Sequence, residues 1–378
     1  MKDRTAAARQ LVLSFPRRAC VGPGCVKHLG QEARRLGRRA LLVTGRRALR
    51  EAGTTERLVD LLTGAGVEVE TFEEVPPEPD LDAVDGARER LRSAGCEMVI
   101  EAGGGSALDV GKAAAALAAA PEPTAVYHAG APIPPGGLAH IAIPTTAGTG
   151  AEATRNSVLT DHGAGVKKSI RADSLLPDAC IVDAELTLSC SPEVTAASGM
   201  DALCQAMESY TSVHAVPATM ALSLEAVRMI ARSLPAAFER GGDLTARAEM
   251  AQASFMAGIA LGNARLGAVH GLAHPLGLLY EMSHGAVCAV LLPHVLERNA
   301  PAMDDAYARL GEAMGGDPIE AVDSLLERLR LPRTLGPYPD ASAERTVMSY
   351  ALSSGSSRAN PLTVDEAYVR GVLRAVCT

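Results

Sequence analysis

The sequence predicts an α/β N-terminal domain built on a doubly wound parallel sheet, followed by an all-α helical C-terminal domain. Up to about residue 186, short apolar β-branched runs alternate with Ala/Leu/Arg-rich stretches of 3.6-residue period, the pattern of a parallel sheet covered by helices. Beyond that point strand signals fade and long helical stretches take over. The 378 residues exceed the ~100–200 usual for one domain. Domains are therefore placed at 1–186 and 187–378. No low-complexity tract, long linker or internal repeat separates them, so the two halves are expected to pack closely around a cleft, where small-molecule sites tend to lie.

The strand candidates are RALLVTG (39–45), VEVETF (67–72), CEMVIEAG (96–103), LAHIAIPTT (138–146) and ACIVDAE (179–185). Between them VKHLGQEARRLG, TTERLVDLLTGAG, DLDAVDGARERLRSAG and SALDVGKAAAALAAA carry helical spacing and end at glycine or before proline. In the second half the helical stretches are 192–213, 217–237, 243–261, 265–280, 284–299, 302–314, 317–330 and 363–376.

Composition removes several function classes. Hydrophobic residues make up 47% and charged residues 21%, a globular balance. Net charge is −8 with no block of like charge, which argues against a nucleic-acid partner. Eight scattered cysteines without CxxC spacing suit reduced thiols in the cytoplasm. The start, MKDRTAAARQLVLSFPRR, has too short an apolar run for a signal-peptide core. No apolar run approaches the ~18–20 residues that span a bilayer, so a soluble, cytoplasmic protein without a membrane partner is expected.

Two glycine-rich loops point to a dinucleotide. EMVIEAGGGSALDVGK runs from an apolar strand into Gly103, Gly104, Gly105 and Ser106 and then a helix. Glycines let backbone approach a ligand closely, and the helix N-terminus offers free N–H groups and a positive dipole to phosphate. PTTAGTGAE, also after a strand, brings the hydroxyls of Thr145, Thr146 and Thr149 beside further glycine. The spacing is not GxGxxG, and the loop follows the third candidate strand rather than the first; an ordinary Rossmann fingerprint is absent.

Metal chemistry is suggested by the helical half. GMDALCQAMESY sets Asp201 and Gln205 four apart on one helix face. GNARLGAVHGLAHPLGLLYEMSHGAVCAVLLPH holds His270, His274, His284 and His294, four of nine histidines. A single histidine on an apolar helix is usually structural. Imidazoles from two adjacent helices with a carboxylate from a third suit a catalytic metal with an open position. His128, His140, His162 and His214 lack such company and read as structural.

GGGSALDVGK, IPTTAGTGAEATRNSVLTD, GMDALCQAMESY and the histidine stretch, in that order, resemble the iron-containing (group III) alcohol dehydrogenase family, over nearly the whole chain. The superfamily includes glycerol dehydrogenase and dehydroquinate synthase. The resemblance implies a dinucleotide-binding first domain, a helical metal-binding and catalytic second domain, hydride transfer between NAD(P)(H) and a small alcohol, aldehyde or ketone, and homodimers or higher homo-oligomers. Carried over by motif, Gly103, Gly104, Gly105 and Ser106 seat the pyrophosphate, with Asp109 and Lys112 in the pattern GGGSxxDxxK. Thr145, Thr146 and Thr149 line the cofactor, and Asn156 and Lys167 stand on its ribose and nicotinamide side.

The family's metal motif is Asp, His four later, then two further His. Asp201, His270 and His284 match, whereas Gln205 stands in the second place. An amide oxygen is a poorer ligand than imidazole for a first-row ion. Three protein ligands still suffice for a catalytic site, with Gln205 as a weak or water-bridged participant and Zn2+ or Fe2+ as the ion. His274 is implied as the proton relay to the forming alkoxide. Two other departures bear on specificity. Gly45 stands where the family often has Asp; with Arg46 and Arg47 following, this allows NADP(H) and tilts the preference mildly towards it. Glu78 stands where Asn is usual. Arg265, placed one and a half turns before His270, would favour an anionic substrate if it faced the site. Two other readings stay open: a redox-neutral cyclase or lyase of the dehydroquinate synthase type, and a non-catalytic nucleotide-binding relative with a decayed metal site.

Overall fold

A computed structural model describes residues 12–378. The N-terminal stretch read for a signal-peptide core lies in part outside them. The described residues divide into two compact units, Phe15–Cys190 and Ser191–Thr378, the latter also taking residues 12–14.

The first unit contains strands β1 (Arg18–Val21), β2 (Arg39–Gly45), β3 (Glu68–Val75), β4 (Met98–Gly103), β5 (Ala139–Pro144), β6 (Asn156–Asp161), β7 (Val166–Arg171) and β8 (Ala179–Val182). Its helices are α1 (Leu29–Leu36), α2 (Ala48–Glu51), α3 (Thr54–Gly64), α4 (Leu81–Ser93), α5 (Gly105–Ala116) and α6 (Thr124–Ala129). Six strands form one parallel sheet in the order β1-β8-β5-β4-β2-β3, while β6 and β7 pair as a separate antiparallel hairpin. The period of two along each strand splits the core cleanly. Ala40, Leu42, Met98, Ile100 and Ile141 join Leu29, Leu58 and Leu62 on one face. Leu41, Val43 and Val99 join Val84, Leu91, Val110 and Ala114 on the other. Helices thus cover both faces, as a doubly wound sheet requires.

All five strand candidates are present, with ends shifted by a few residues. Three elements of this unit carried weak signals. RACV is a four-residue edge strand that begins on an exposed arginine. The β6/β7 hairpin, NSVLTD against VKKSIR, has four apolar residues in twelve and no period of two, and only NSVLTD falls within a motif read from the sequence. The six-residue α6 lacks a side-chain N-cap.

A buried ammonium holds this unit's loops together. Lys112 on α5 is fully buried and donates to Ala151 O at 2.7 Å, Thr154 Oγ1 at 2.9 Å and Asn156 O at 2.7 Å. Burial lowers its pKa to about 8, against the opposing pull of Asp109, Glu101 and Glu152.

The second unit is helical: α7 (Pro192–Thr211), α8 (Pro217–Glu239), α9 (Leu244–Ala264), α10 (Ala268–Tyr280), α11 (His284–Asn299), α12 (Asp305–Met314), α13 (Pro318–Arg328), α14 (Ala341–Ser353) and α15 (Glu366–Val376). α14 had no counterpart among the expected helices, although Asp340 caps it by accepting from the Ser342 and Ala343 N–H groups. No helix among the described residues is long and apolar enough to cross a membrane.

Glu152, beside the Lys112 anchor, is fully buried, and that burial raises its pKa from 4.5 to about 7. The folded protein therefore holds this proton more tightly than the unfolded chain, and stability falls as pH rises through the window from about 4.5 to about 7. Glu152→Gln is expected to remove that slope, worth at most about 1.4 kcal/mol per pH unit. Denaturant midpoints measured across this window check it, an unchanged slope being the contrary result.

Candidate functional site

The doubly wound sheet has its switch point between β2 and β4: from β2 the chain moves outward to β3, then returns past β2 to β4. Open α/β sheets bind ligands beyond the carboxyl ends of strands at such a point. Those ends are Gly45 and Gly103, two of the residues singled out in the sequence. Gly103 has φ 149°, in a region that disfavours side chains, and a Cβ on Gly105 would lie 2.7 Å from Thr149 Cγ2. Backbone, with no side chain between, thus forms the loop wall. Gly104 is the N-cap of α5 and has no side-chain cap, so the first N–H groups of that helix retain their capacity for an anion.

The other loop residues fall around this start. Thr145 N–H donates to Gly103 O at 2.9 Å, joining the threonine loop to the glycine loop, and Thr146 lies 3.6 Å from a Cβ built on Gly104. Ser106 Oγ donates to Pro77 O at 2.5 Å, so its hydroxyl proton is engaged within the protein. Asp109 sits further along α5, and its carboxylate accepts from the Val158 N–H; burial raises its pKa to about 6, with Lys112 opposing. Asn156 is the first residue of β6, and its carbonyl is held by Lys112. Lys167 on β7 forms an ion pair with Glu78, so the residue that departs from the family's usual Asn engages the lysine that the resemblance placed on the cofactor side. Arg46 and Arg47 are exposed, and Arg46 Nε lies 3.3 Å from Glu74 O.

The second unit gathers a separate cluster. Asp201 on α7, His270 on α10, and His284 and Cys288 on α11 place one donor atom each within 4.8 Å of one another. His270 Nε2 is 3.1 Å from Asp201 Oδ1, and His284 Nε2 is 3.8 Å from the same oxygen. Cys288 Sγ is 3.6 Å from His284 Nε2 and 4.0 Å from His270 Nε2. A carboxylate, two imidazoles and a thiol, all buried except the half-buried His284, form a donor set suited to a first-row divalent ion.

Behind the cluster, Glu208 Oε2 lies 2.6 Å from His270 Nδ1, and Oε1 accepts from the Val269 N–H at 2.6 Å. An ionised carboxylate only accepts, so Nδ1 carries the proton and Nε2 is directed at Asp201. Burial opposes charge on His270, but Cys288, Glu208 and Asp201 outweigh it and hold the imidazole pKa well above its usual value. Burial likewise opposes ionisation of Cys288, while Cys204, His284 and His270 pull its pKa well below the ordinary thiol value. An ion seated here would displace protons from both.

The sequence reading named Asp201, His270 and His284 but missed Glu208 and Cys288. Both carried a spacing signal. Asp201, Gln205 and Glu208 follow the i, i+4, i+7 rule along an otherwise buried helix, and Cys288 is one turn beyond His284. Gln205 is buried, and its Oε1 has no hydrogen-bond donor among the described residues. His274 stacks on His284 with ring centroids 4.9 Å apart and meets the Tyr350 edge at 6.1 Å. His294 stands ten residues beyond His284 on α11, outside the cluster. Arg265 also departs from expectation. α10 starts at Ala268, so Arg265 does not share a helix with His270; it ends α9 at φ 66° and is exposed. Gly267 is the extended N-cap of α10, and the absence of a Cβ there leaves room for Glu208, whose Oε1 would lie 2.8 Å from one.

Among known proteins, the family described as iron-containing alcohol dehydrogenase matches residues 16–184, and its C-terminal domain matches residues 195–377. The 1,3-propanediol dehydrogenase of Citrobacter freundii is 37% identical over 374 residues, covering 93% of this chain and 95% of its own. The long-chain-alcohol dehydrogenase 1 of Geobacillus thermodenitrificans (strain NG80-2) is 35% identical over 378 residues, covering 96% and 95%. A crystal structure of a 1,3-propanediol oxidoreductase superposes with TM-score 0.92 at 35% identity, covering 97% of this chain and 99% of that one.

Removing the Glu208 support should loosen the cluster without deleting any of its donors. In Glu208→Ala, Zn2+ affinity measured by chelator competition is expected to fall about 10–100-fold. Glu208→Gln, which still accepts from Val269 N–H, should fall less; equal losses would contradict the orienting role.

Proposed function

Because the chain belongs to the iron-containing alcohol dehydrogenase family and is an oxidoreductase of that class, we propose that it interconverts small alcohols with their aldehydes or ketones, using NAD(P)(H) and one divalent ion, Zn2+ or Fe2+. The observation that carries this reading is the convergence of Asp201, His270 and His284 donor atoms, in a family of dehydrogenases, with the His270 tautomer fixed by Glu208. A metal at this cluster would supply Lewis acidity to a substrate oxygen, and a bound nicotinamide the hydride.

The chain's own residues carry the remaining work. Asp201, His270 and His284 hold the ion, with Gln205 one turn along α7 from Asp201. Glu208 keeps the His270 proton on Nδ1. His274, stacked on His284, moves a proton between the substrate oxygen and solvent, a role suited to imidazole near neutral pH. In the α/β unit, the N–H groups of Gly104, Gly105 and Ser106 bind the pyrophosphate beside Gly103. Thr145, Thr146 and Thr149 flank it. Asn156 and Lys167 serve the ribose and nicotinamide side, and Asp109 supports them from behind. In this reading residues 1–186 are the dinucleotide-binding domain and 187–378 the metal-binding, catalytic domain.

Gly45 has open space where a side chain would stand, which supports acceptance of a 2′-phosphate and a mild preference for NADP(H). Exposed Arg265 gives an anionic substrate no support, so small uncharged alcohols of the kind named for the propanediol relatives are the better substrates. Eight free thiols suit a cytoplasmic location, and a homodimer or higher homo-oligomer is the proposed assembly.

Two measurements test the reading. Purified protein should oxidise NADPH or NADH with propionaldehyde, lose activity about 100-fold on chelation, and regain it with Zn2+ or Fe2+; activity indifferent to chelation would overturn the metal role. Gly45→Asp should raise KM for NADPH by roughly tenfold or more, about 1.4 kcal/mol, with little effect on NADH. Equal effects on both cofactors would remove Gly45 from cofactor choice.

A further inference from the structure

We propose that the Cys288 thiolate is a direct ligand of the metal ion held by Asp201, His270 and His284, making a four-ligand Asp-His-His-Cys centre. The inference rests on the metal-dependent reading of this site and adds a ligand to it.

The geometry carries the assignment. A tetrahedral ion with a metal–sulfur bond of about 2.3 Å and metal–nitrogen bonds of about 2.0–2.1 Å sets sulfur and nitrogen ligands about 3.6 Å apart. Cys288 Sγ stands 3.6 Å from His284 Nε2 and 4.0 Å from His270 Nε2. With oxygen and nitrogen ligands the same geometry calls for about 3.4 Å. The two Asp201 separations, 3.1 and 3.8 Å, bracket that value. Four of the six donor separations thus match one ion's tetrahedral shell to within a few tenths of an ångström, and all four donor atoms lie within 4.8 Å of one another.

Sequence and packing place the thiol firmly. Cys288 follows His284 by four residues on α11, so both side chains leave the same helix face. α11 is pressed against α7 at Gly285, where a Cβ would come within 2.1 Å of Ala197 O. That close approach fixes the helix carrying His284 and Cys288 relative to the helix carrying Asp201. Cys288 is fully buried, and its carbonyl accepts from Cys204 Sγ at 3.5 Å.

Gln205 explains why a further ligand is needed. It occupies the place of an imidazole in the metal motif described above, and its buried Oε1 has no donor among the described residues. Amide and imidazole are both neutral, so Gln205 costs the site donor strength rather than charge, and Asp201 is the one anionic donor that α7 turns to a buried divalent ion. A thiolate restores the ligand count to four and brings the anionic ligand charge to −2, so the filled site is neutral and its burial is less costly. Thiolate also shifts selectivity towards softer ions such as Zn2+ and Co2+.

Cobalt loading is the test, read by spectroscopy rather than turnover. Chelator-stripped protein titrated with Co2+ should bind one ion per chain and develop an intense near-ultraviolet thiolate-to-cobalt charge-transfer band. X-ray absorption should show a sulfur scatterer at about 2.3 Å. Cys288→Ser should lose both signals and bind Co2+ at least roughly tenfold more weakly, whereas Cys204→Ser should keep them. If Cys288→Ser does not fold, the sulfur signal of Cys204→Ser decides, because Cys288 is the one thiol of the cluster among the described residues. Stoichiometric Co2+ without a sulfur signal, or with one that survives Cys288→Ser, overturns the thiolate ligand and leaves the proposed dehydrogenase intact. Failure of the wild type to bind Co2+ overturns both.

Discussion

The helical unit's site depends on one carboxylate. Glu208 accepts from the Val269 N–H and from His270 Nδ1, so a single side chain of α7 both caps the buried start of α10 and sets the orientation of the His270 imidazole in the cluster. A buried helix N-terminus must find acceptors from outside the helix. α10 finds a second in Asn360 Oδ1, which takes the Ala268 N–H at 3.1 Å and is itself held by Asn299 Nδ2 at 2.8 Å. The negative carboxylate also suits the positive end of the helix dipole. His270 is therefore aimed by the capping of its helix, and residues well outside the cluster share in that aim.

Lys112 plays the matching part in the α/β unit. It rises from the helix that begins at the glycine loop and reaches acceptors between Ala151 and Asn156, tying α5 to the segment between the threonine loop and the β6/β7 hairpin. Burying an ammonium is costly unless its donors are satisfied, and here three acceptors take all three. Asp109 adds a second tie from the same helix to Val158, and Ser157 Oγ donates to the Asp109 carbonyl at 2.9 Å. Two members of the GGGSxxDxxK pattern thus hold the loops in register, while the glycines leave the approach to the helix N-terminus clear.

Gln205 and Cys288 belong together in this account. In the proposed centre the amide of Gln205 offers an ion less donor strength than an imidazole would, and in exchange the thiolate of Cys288 serves from the facing helix. The exchange crosses from α7 to α11 because the two backbones touch at Gly285, so side chains from either helix reach the same volume.

The sequence by itself determined much of the fold. The strands β2, β4, β5 and β8, largely buried, gave apolar runs, the edge strand β3 gave the alternation VEVET, and the long buried helices gave steady periodicity, so these and most of the second unit's helices were legible. The edge strand RACV and the half-buried β6/β7 hairpin were not, being short and partly exposed, and α14, though 13 residues long, buries only Val347, Met348 and Ala351, too few to set a period. For the site, local spacing with the family resemblance identified Asp201, His270 and His284, since each lies in a motif that is continuous in sequence. Glu208, Cys288 and the true start of α10 were decided by tertiary structure. Their significance lies in distances between residues 62 or more positions apart for Glu208 with His270, and 18 apart for Cys288 with His270. Such distances follow from how close the helices pack, and the glycines that permit that packing resemble, in sequence, any other glycine in a helix.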